Sequence, residues 1–216
     1  MKIVAHIPAR HGSKRIPLKN LVKIKNKPLI SYSIETLKKS IIKDFYINTD
    51  SKKIAAYARS KKCKVYFRKK NLANDVAKSD DFNYDFIKNV QSDICVMINP
   101  VCPLLNYKEI NMMINFFIKK KLDTLISAEE TQMQSFYKRK PININLNEKL
   151  KQSQKNGKVI ICNWAVTIWR SKTFIKNFEK KNFAVWGKKR EFFILPKTSA
   201  IKISTPDDIK LVKLFI

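Results

Sequence analysis

The sequence is poor in glycine, histidine and acid. Only three glycines occur in 216 residues, at positions 12, 157 and 187. No Gly-x-Gly-x-x-Gly fingerprint and no Walker-type Gly-Lys-Ser/Thr loop can be written with them, which removes the commonest dinucleotide and P-loop readings. Two histidines, His6 and His11, and four cysteines at 63, 95, 102 and 162 include no Cys-x-x-Cys pair. Zinc-ligand spacing is therefore absent, and the cysteines read as reduced members of a core rather than a disulfide scaffold. Apolar runs are short, as in Val159-Ile160-Ile161-Cys162, so no segment spans a membrane. The start, Met1-Lys2, lacks the apolar stretch and cleavage site of a signal peptide. The expectation is a cytoplasmic protein with no membrane partner.

What the chain has in excess is positive charge. Lys and Arg number 45 against 17 Asp and Glu, a net charge of +28. Such a balance suits phosphate-bearing partners. Lysine, isoleucine and asparagine together make 84 of the 216 residues, and all three have A/T-rich codons. Genomic base composition and a phosphate-rich ligand both stay open as causes. Residues 1–108 hold 23 basic and 8 acidic residues, and residues 109–216 hold 22 and 9. The even spread offers no basic stripe or tail, which argues against nucleic acid as a partner. A hydrophobic content of 44% is ample for a core, and 216 residues suit one domain.

Strand and helix patterns alternate through the first 130 residues. Strands are expected at Lys2–Ile7, Phe45–Asn48, Cys63–Phe67, Asp93–Ile98 and Asp123–Ser127. Helices are expected at Pro28–Ser40, Ser51–Lys61 (Ser51 as N-cap), Ser79–Val90 (capped by Ser79) and Tyr107–Lys120. This succession implies right-handed βαβ units, hence an α/β fold with a mostly parallel sheet and helices on both faces. Gln132–Lys158 is polar and weakly periodic and reads as hairpins or a protruding lobe. A core strand at Lys158–Ile168, a helix at Ser171–Lys180 and short strands at Phe192–Leu195 and Ala200–Ile203 follow. Thr205-Pro206-Asp207-Asp208 opens a last helix, with Thr as N-cap, Pro at N1 and acid at N3.

The segment after the first strand carries the most chemistry. It reads Ile7-Pro8-Ala9-Arg10-His11-Gly12-Ser13-Lys14-Arg15-Ile16-Pro17-Leu18-Lys19-Asn20. Arg10, Lys14, Arg15 and Lys19 place four cations within ten residues, and Pro8 and Pro17 stiffen the path. Gly12 offers positive φ or close approach of a ligand. Open α/β sheets bind ligands at the carboxyl ends of their strands, where this loop falls. A polyphosphate needs backbone N–H donors and cations from several directions, and the loop supplies both.

The string I-P-A-R-x-G-S-K-x-I-P-x-K-N resembles the signature of the acylneuraminate cytidylyltransferases, the CMP-sialic acid synthetase family with its other nonulosonate relatives. Further segments are similar: Tyr46–Ser51 to the family's V-S-T-D-S strand end, Arg68–Asp81 to its RP-x-x-LA-x-D-x-A-x-S, Asn99–Leu104 to QPTSPL, Asn163-Trp164-Ala165 to NGA, and Ile203–Asp208 to IDTPED. The resemblance implies a Rossmann-like nucleotidyltransferase fold over residues 1–216, with a dimerisation lobe at about 130–160. It implies transfer of CMP from CTP to a sialic-acid-like sugar acid with release of pyrophosphate, Mg²⁺ as cofactor and a homodimer. It assigns CTP to Arg10, Ser13, Lys14, Arg15, Lys19 and Asn20, with Arg10 and Lys19 nearest the transferring phosphate. It assigns the cytidine to Arg68 and Ser79, and the sugar to Asn99 and Gln154.

Several positions depart from the pattern. The two metal-binding aspartates of the family fall at Lys202 and Ser204, so protein ligands for Mg²⁺ are not identifiable. The Thr-Ser pair of QPTSPL is Val101-Cys102, the arginine expected before Gln154 is Ser153, and the glycine of NGA is Trp164. A catalytically impaired nucleotide-binding homologue is therefore the alternative to an active enzyme, and a basic nucleic-acid-binding domain is the third.

Overall fold

The computed structural model describes all 216 residues. β1 (Ile3–Pro8) runs into the basic loop, which ends in a short 3₁₀ turn at Lys19–Leu21 and a small hairpin, β2 (Lys23–Ile24) and β3 (Lys27–Pro28). Then follow α1 (Leu29–Lys39), β4 (Asp44–Thr49), α2 (Lys52–Ser60), β5 (Lys64–Phe67), α3 (Ser79–Asn89), β6 (Ile94–Ile98), α4 (Tyr107–Lys119) and β7 (Thr124–Thr131). A second hairpin, β8 (Phe136–Tyr137) and β9 (Lys140–Pro141), begins the polar region. β10 (Val159–Arg170), α5 (Ser171–Lys181), β11 (Arg190–Ile194) and α6 (Pro206–Lys213) complete the chain.

Seven strands form one sheet in the order β11-β7-β10-β6-β1-β4-β5. All pairings are parallel except those of β10, which runs antiparallel to both β6 and β7. β6 is apolar and buried throughout, as a strand covered on both faces must be. One core layer joins β-residues such as Ile7, Ile47 and Ile98 to Ile34 of α1, Ile54 of α2 and Phe117 of α4. The opposite layer packs Phe86 of α3 and Phe174 of α5 under Trp169. A third, small cluster unites Ile16 and Ile24 near the basic loop with Ile203 and Val212 at the carboxyl end. That cluster brings the last segment of the chain beside the first loop.

The crossovers after β1 lead outward to β4 and β5, whereas β6 lies on the other side of β1. The strand order therefore reverses between β1 and β6, and a crevice opens at their carboxyl ends.

Several expectations need correction. Ala200–Ile203 is not a strand but a turn followed by extended chain, anchored by the Ile203 N–H on the Val101 carbonyl at 2.8 Å. Its apolar residues serve the small cluster, not a ladder. Ser79 is the first residue of α3, not its cap, and Asp81 accepts from the Lys78 N–H at 3.0 Å. Gly12 does not have positive φ; the left-handed residue in the loop is Leu18, at 48°. The last expected strand pair reduces to one edge strand, β11, paired with β7. The other caps hold: Ser51 Oγ accepts from the Ile54 N–H, and Asp208 accepts from the Thr205 N–H at 2.7 Å.

Candidate active site

The crevice between β1 and β6 holds two adjoining cavities that share Pro8 and Asn99. The first, about 290 Å³, is lined by Arg10, Ser13, Lys14, Arg15, Lys19 and Asn20 on the loop side. Every residue of the basic loop expected to meet phosphates thus faces one space. The loop is fastened at several points. The Ala9 N–H donates to the Asn48 carbonyl at 2.9 Å, and the His11 N–H donates to Asp50 Oδ1 at 2.7 Å. Asn20 is buried, with its Nδ2 on the Arg10 carbonyl at 3.4 Å and its Oδ1 without a partner. A Cβ added at Gly12 would touch nothing within 4 Å, so the glycine leaves open space for a ligand instead of relieving strain.

Two cations of the loop are held by a carboxylate. Arg10 Nη2 lies 2.8 Å from Asp75 Oδ1 and Lys14 Nζ 3.1 Å from Asp75 Oδ2. Arg10 Nη1 also donates to the Asn74 carbonyl at 2.9 Å. The two bonds to Lys14 and Arg10 hold the Asp75 carboxyl below its ordinary range. Lys19 differs: its Nζ donates to the Ile203 carbonyl at 3.1 Å and pairs with no acid. Burial, and after it the charges of Arg15 and Lys202, lower its pKa from the ordinary lysine value. Positive charge is therefore concentrated and under-neutralised on this side of the cavity.

The second cavity, about 370 Å³, is largely apolar. Phe82, Met97, Trp164, Val185 and Trp186 line it, together with Ser79, Asp80 and Asn99. Asp80 Oδ1 accepts from the Ala184 and Val185 N–H groups, at 2.5 and 2.9 Å. Trp169 Nε1 donates to the Val185 carbonyl at 3.1 Å. The segment that carries Trp186 is thereby pinned over the start of α3.

Arg68 lines neither cavity. It is buried, with Nε on Asn48 Oδ1 at 2.9 Å and its guanidinium 4.3 Å from the Phe82 ring centre. Burial lowers its pKa to about 10, with Asp50 opposing, so it stays charged at neutral pH. Behind it, His6 stacks on Phe86 at 4.4 Å, and burial pushes its pKa down to about 3. This neutral histidine is part of the core under the site. Gln154 sits in the lobe, where its carbonyl accepts from Gln132 Nε2, and reaches neither cavity. The lobe also borders a separate, open space of about 510 Å³ among residues 142–157.

No group of three or more His, Cys, Asp or Glu side chains is arranged to hold a metal ion. Near the loop, Asp208 is occupied by the Ser204 and Thr205 N–H groups, Asp50 by His11 and Asp75 by two cations. Asp207 faces solvent, paired with Lys210. Lys202 lies near enough for its charge to act on Lys19 and Cys102. These residues do not fit a Mg²⁺ held by the protein.

A sequence profile described as Cytidylyltransferase matches residues 4–193. The chain belongs to the cytidylyltransferase family. With that come the nucleotidyltransferase class and the Rossmann-like sheet seen above. The chain is 36% identical over 137 residues to a pseudaminic acid cytidylyltransferase of Campylobacter jejuni serotype O:2, an alignment covering 60% of this chain and 59% of the relative. With the pseudaminic acid cytidylyltransferase of serotype O:23/36 it shares 29% identity over 99% of its own length and 96% of that protein's. Among solved structures, a CMP:2-keto-3-deoxy-manno-octonic acid synthetase complexed with CTP superposes with a TM-score of 0.77 at 17% identity, covering 100% of this chain and 98% of the other. No helix is long and apolar enough to cross a membrane.

Sequence reasoning missed Asp75 as the partner of Arg10 and Lys14, although it falls inside the quoted Arg68–Asp81 segment. It also missed Asp80 and Trp186, whose roles depend on chain returning from about 100 residues away.

Proposed function

We propose that this protein transfers CMP from CTP to a nonulosonic sugar acid and releases pyrophosphate. The observation that carries the reading is the first cavity: the cations Arg10, Lys14, Arg15 and Lys19 converge there, beside Ser13 and Asn20, at the reversal point of the sheet. In the transfer, the anomeric hydroxyl oxygen of the sugar forms a bond to the α-phosphorus of CTP as the bond to the bridging β-phosphate oxygen breaks, and the hydroxyl proton leaves to water or to the departing pyrophosphate. Arg10 and Lys19 stand nearest the transferring phosphate and offset its developing charge; Ser13, Lys14 and Arg15 hold the outer phosphates. This is positioning and charge neutralisation rather than covalent catalysis. Asn99, common to both cavities, would join phosphate and sugar. The decisive assay measures pyrophosphate release from CTP and Mg²⁺ with a panel of nonulosonic acids. Release with none of them would overturn the reading.

Base and acceptor are proposed to share the second cavity, the base against Ser79 at the start of α3, with Arg68 behind it through Asn48, and the acceptor toward Asn99 and Trp164. CTP is then expected to bind at least tenfold more tightly than UTP or ATP by titration calorimetry. Equal affinity for the three would remove Ser79 and Arg68 from base recognition.

The working unit is proposed to be a homodimer of one-domain chains joined through the lobe at about 130–160. Phe136, Tyr137, Ile142, Leu146 and Leu150 are exposed there in a single chain, beside an open space that a second copy can fill. Gln154, remote from its own cavities, would then reach sugar across the interface. Light scattering at micromolar concentration should give twice the chain mass; a monomer would refute the shared lobe. Metal is proposed to arrive as the Mg²⁺ complex of CTP, which keeps most of its waters and needs few protein ligands.

A further inference from the structure

The apolar wall of the second cavity rests on a residue in an unusual backbone state. Trp164 has φ 58°, a region open to glycine and an outlier for a bulky side chain. Its surroundings over-determine that state. The register between β10 and β7 shifts between Cys162 and Thr167. Ser127 Oγ donates to Asn163 Oδ1 at 2.6 Å and accepts from the Val166 N–H at 2.9 Å. The Ala165 carbonyl accepts from the Asn99 N–H at 2.9 Å. A large ring kept against its own backbone preference points to a use for that ring. The indole stands edge-on to Trp186, with centroids 5.2 Å apart and planes at 76°. Asp80 pins the Trp186 segment, so the two rings make a fixed corner beside Asn99.

We propose that Trp164 is a specificity-determining residue of the acceptor side: with Trp186 it selects a sugar acid that presents an acyl methyl or a deoxygenated carbon to the corner and disfavours one that presents hydroxyls there. The inference rests on the cytidylyl-transfer reading above. Trp164, Trp186, Met97 and Val185 offer no strong hydrogen-bond acceptor, and their only N–H donors are the two indoles. A hydroxyl pressed onto those four side chains finds at most an indole N–H for its oxygen and no acceptor for its proton, whereas a methyl group gains contact. Glycine at 164 would leave a space that water fills, and the discrimination would go with the ring.

The test compares wild type with Trp164→Gly, Trp164→Asn and Trp164→Phe in the pyrophosphate assay. The acceptors are an N-acylated, deoxygenated nonulosonic acid and a fully hydroxylated 3-deoxy-octulosonic acid. Asparagine tolerates the left-handed backbone and removes the aromatic wall, so it separates loss of the ring from a change in the chain. Wild type should prefer the acylated acceptor at least thirtyfold in kcat/KM. The Gly and Asn variants should bring that ratio below threefold, chiefly through KM of the acylated acceptor, while KM for CTP moves less than threefold; Phe should keep most of the preference. A wild-type preference for the hydroxylated acceptor overturns the proposal. So does an unchanged ratio in both variants, or an equal rate gain on both acceptors, which would mark an indole that merely obstructs; in these cases cytidylyl transfer itself stands. No release with either acceptor, with CTP binding intact, overturns the transfer reading and this inference together.

Discussion

Lys19→Ala should weaken CTP binding by tenfold to a hundredfold in titration calorimetry. A charge-assisted contact contributes about 1.5–3 kcal/mol, and Lys19 has no acid to lose when phosphate arrives, only the Ile203 carbonyl. Arg10→Ala should also weaken binding, but less, because Arg10 must first release Asp75. Asp75→Asn should act in the opposite sense and tighten CTP about threefold, in keeping with the ~0–1 kcal/mol scale of exposed ion pairs. The pH dependence follows from the direction of the Lys19 shift. Its pKa is lowered in the free protein, and phosphate would raise it, so CTP binding retains the proton. Affinity should be full at neutral pH and fall with rising pH from below the ordinary lysine range of about 10.4. Unchanged affinity in both Lys19→Ala and Arg10→Ala would place CTP elsewhere.

The second large effect concerns metal. CTP should bind without added Mg²⁺, and wild-type turnover should be slow and weakly metal-dependent. Lys202 stands where the resembling family places an aspartate, and its charge already depresses Lys19. A lysine there repels Mg²⁺ yet serves as a point charge on phosphate. Ser204 lends only its N–H, to Asp208, and Asp208 is consumed in capping α6. Lys202→Asp combined with Ser204→Asp should raise Mg²⁺-dependent turnover tenfold or more, since a bound cation stabilises transition-state charge by several kcal/mol. A fast wild-type rate abolished by chelator, with no gain in the double variant, would show that Lys202 is a bystander and that metal enters by other ligands.

The two effects share one structural cause. The Ile16–Ile24–Ile203–Val212 cluster draws the carboxyl-terminal segment against the basic loop, so the charge of Lys202 acts on Lys19 although 183 positions separate them. Disturbing that cluster should therefore impair CTP binding without touching any residue that meets phosphate.

Much of this was legible in sequence because it is local. Strand and helix periods are written in near neighbours, so β1, β4, β6, α1 and α4 lie where their patterns place them. Three cations between Pro8 and Pro17, with Lys19 just beyond, single out a candidate phosphate loop, and Thr205-Pro206-Asp207-Asp208 announces its helix within four residues. What the tertiary structure decided is everything that needs two distant segments at once. It turned β10 antiparallel, placed Asp75 on Arg10 and Lys14, and sank Arg68 beneath the site instead of at its surface. It also bent Asn163–Val166 into a bulge where Trp164 must take a left-handed backbone. Residue 164 lies where the family motif has glycine, but only the register of β10 on β7 shows why glycine suits it, and only the chain at Val185–Trp186 shows what the indole meets. Local propensity is a property of adjacent residues, whereas charge pairing and cavity shape depend on which strands the sheet makes neighbours.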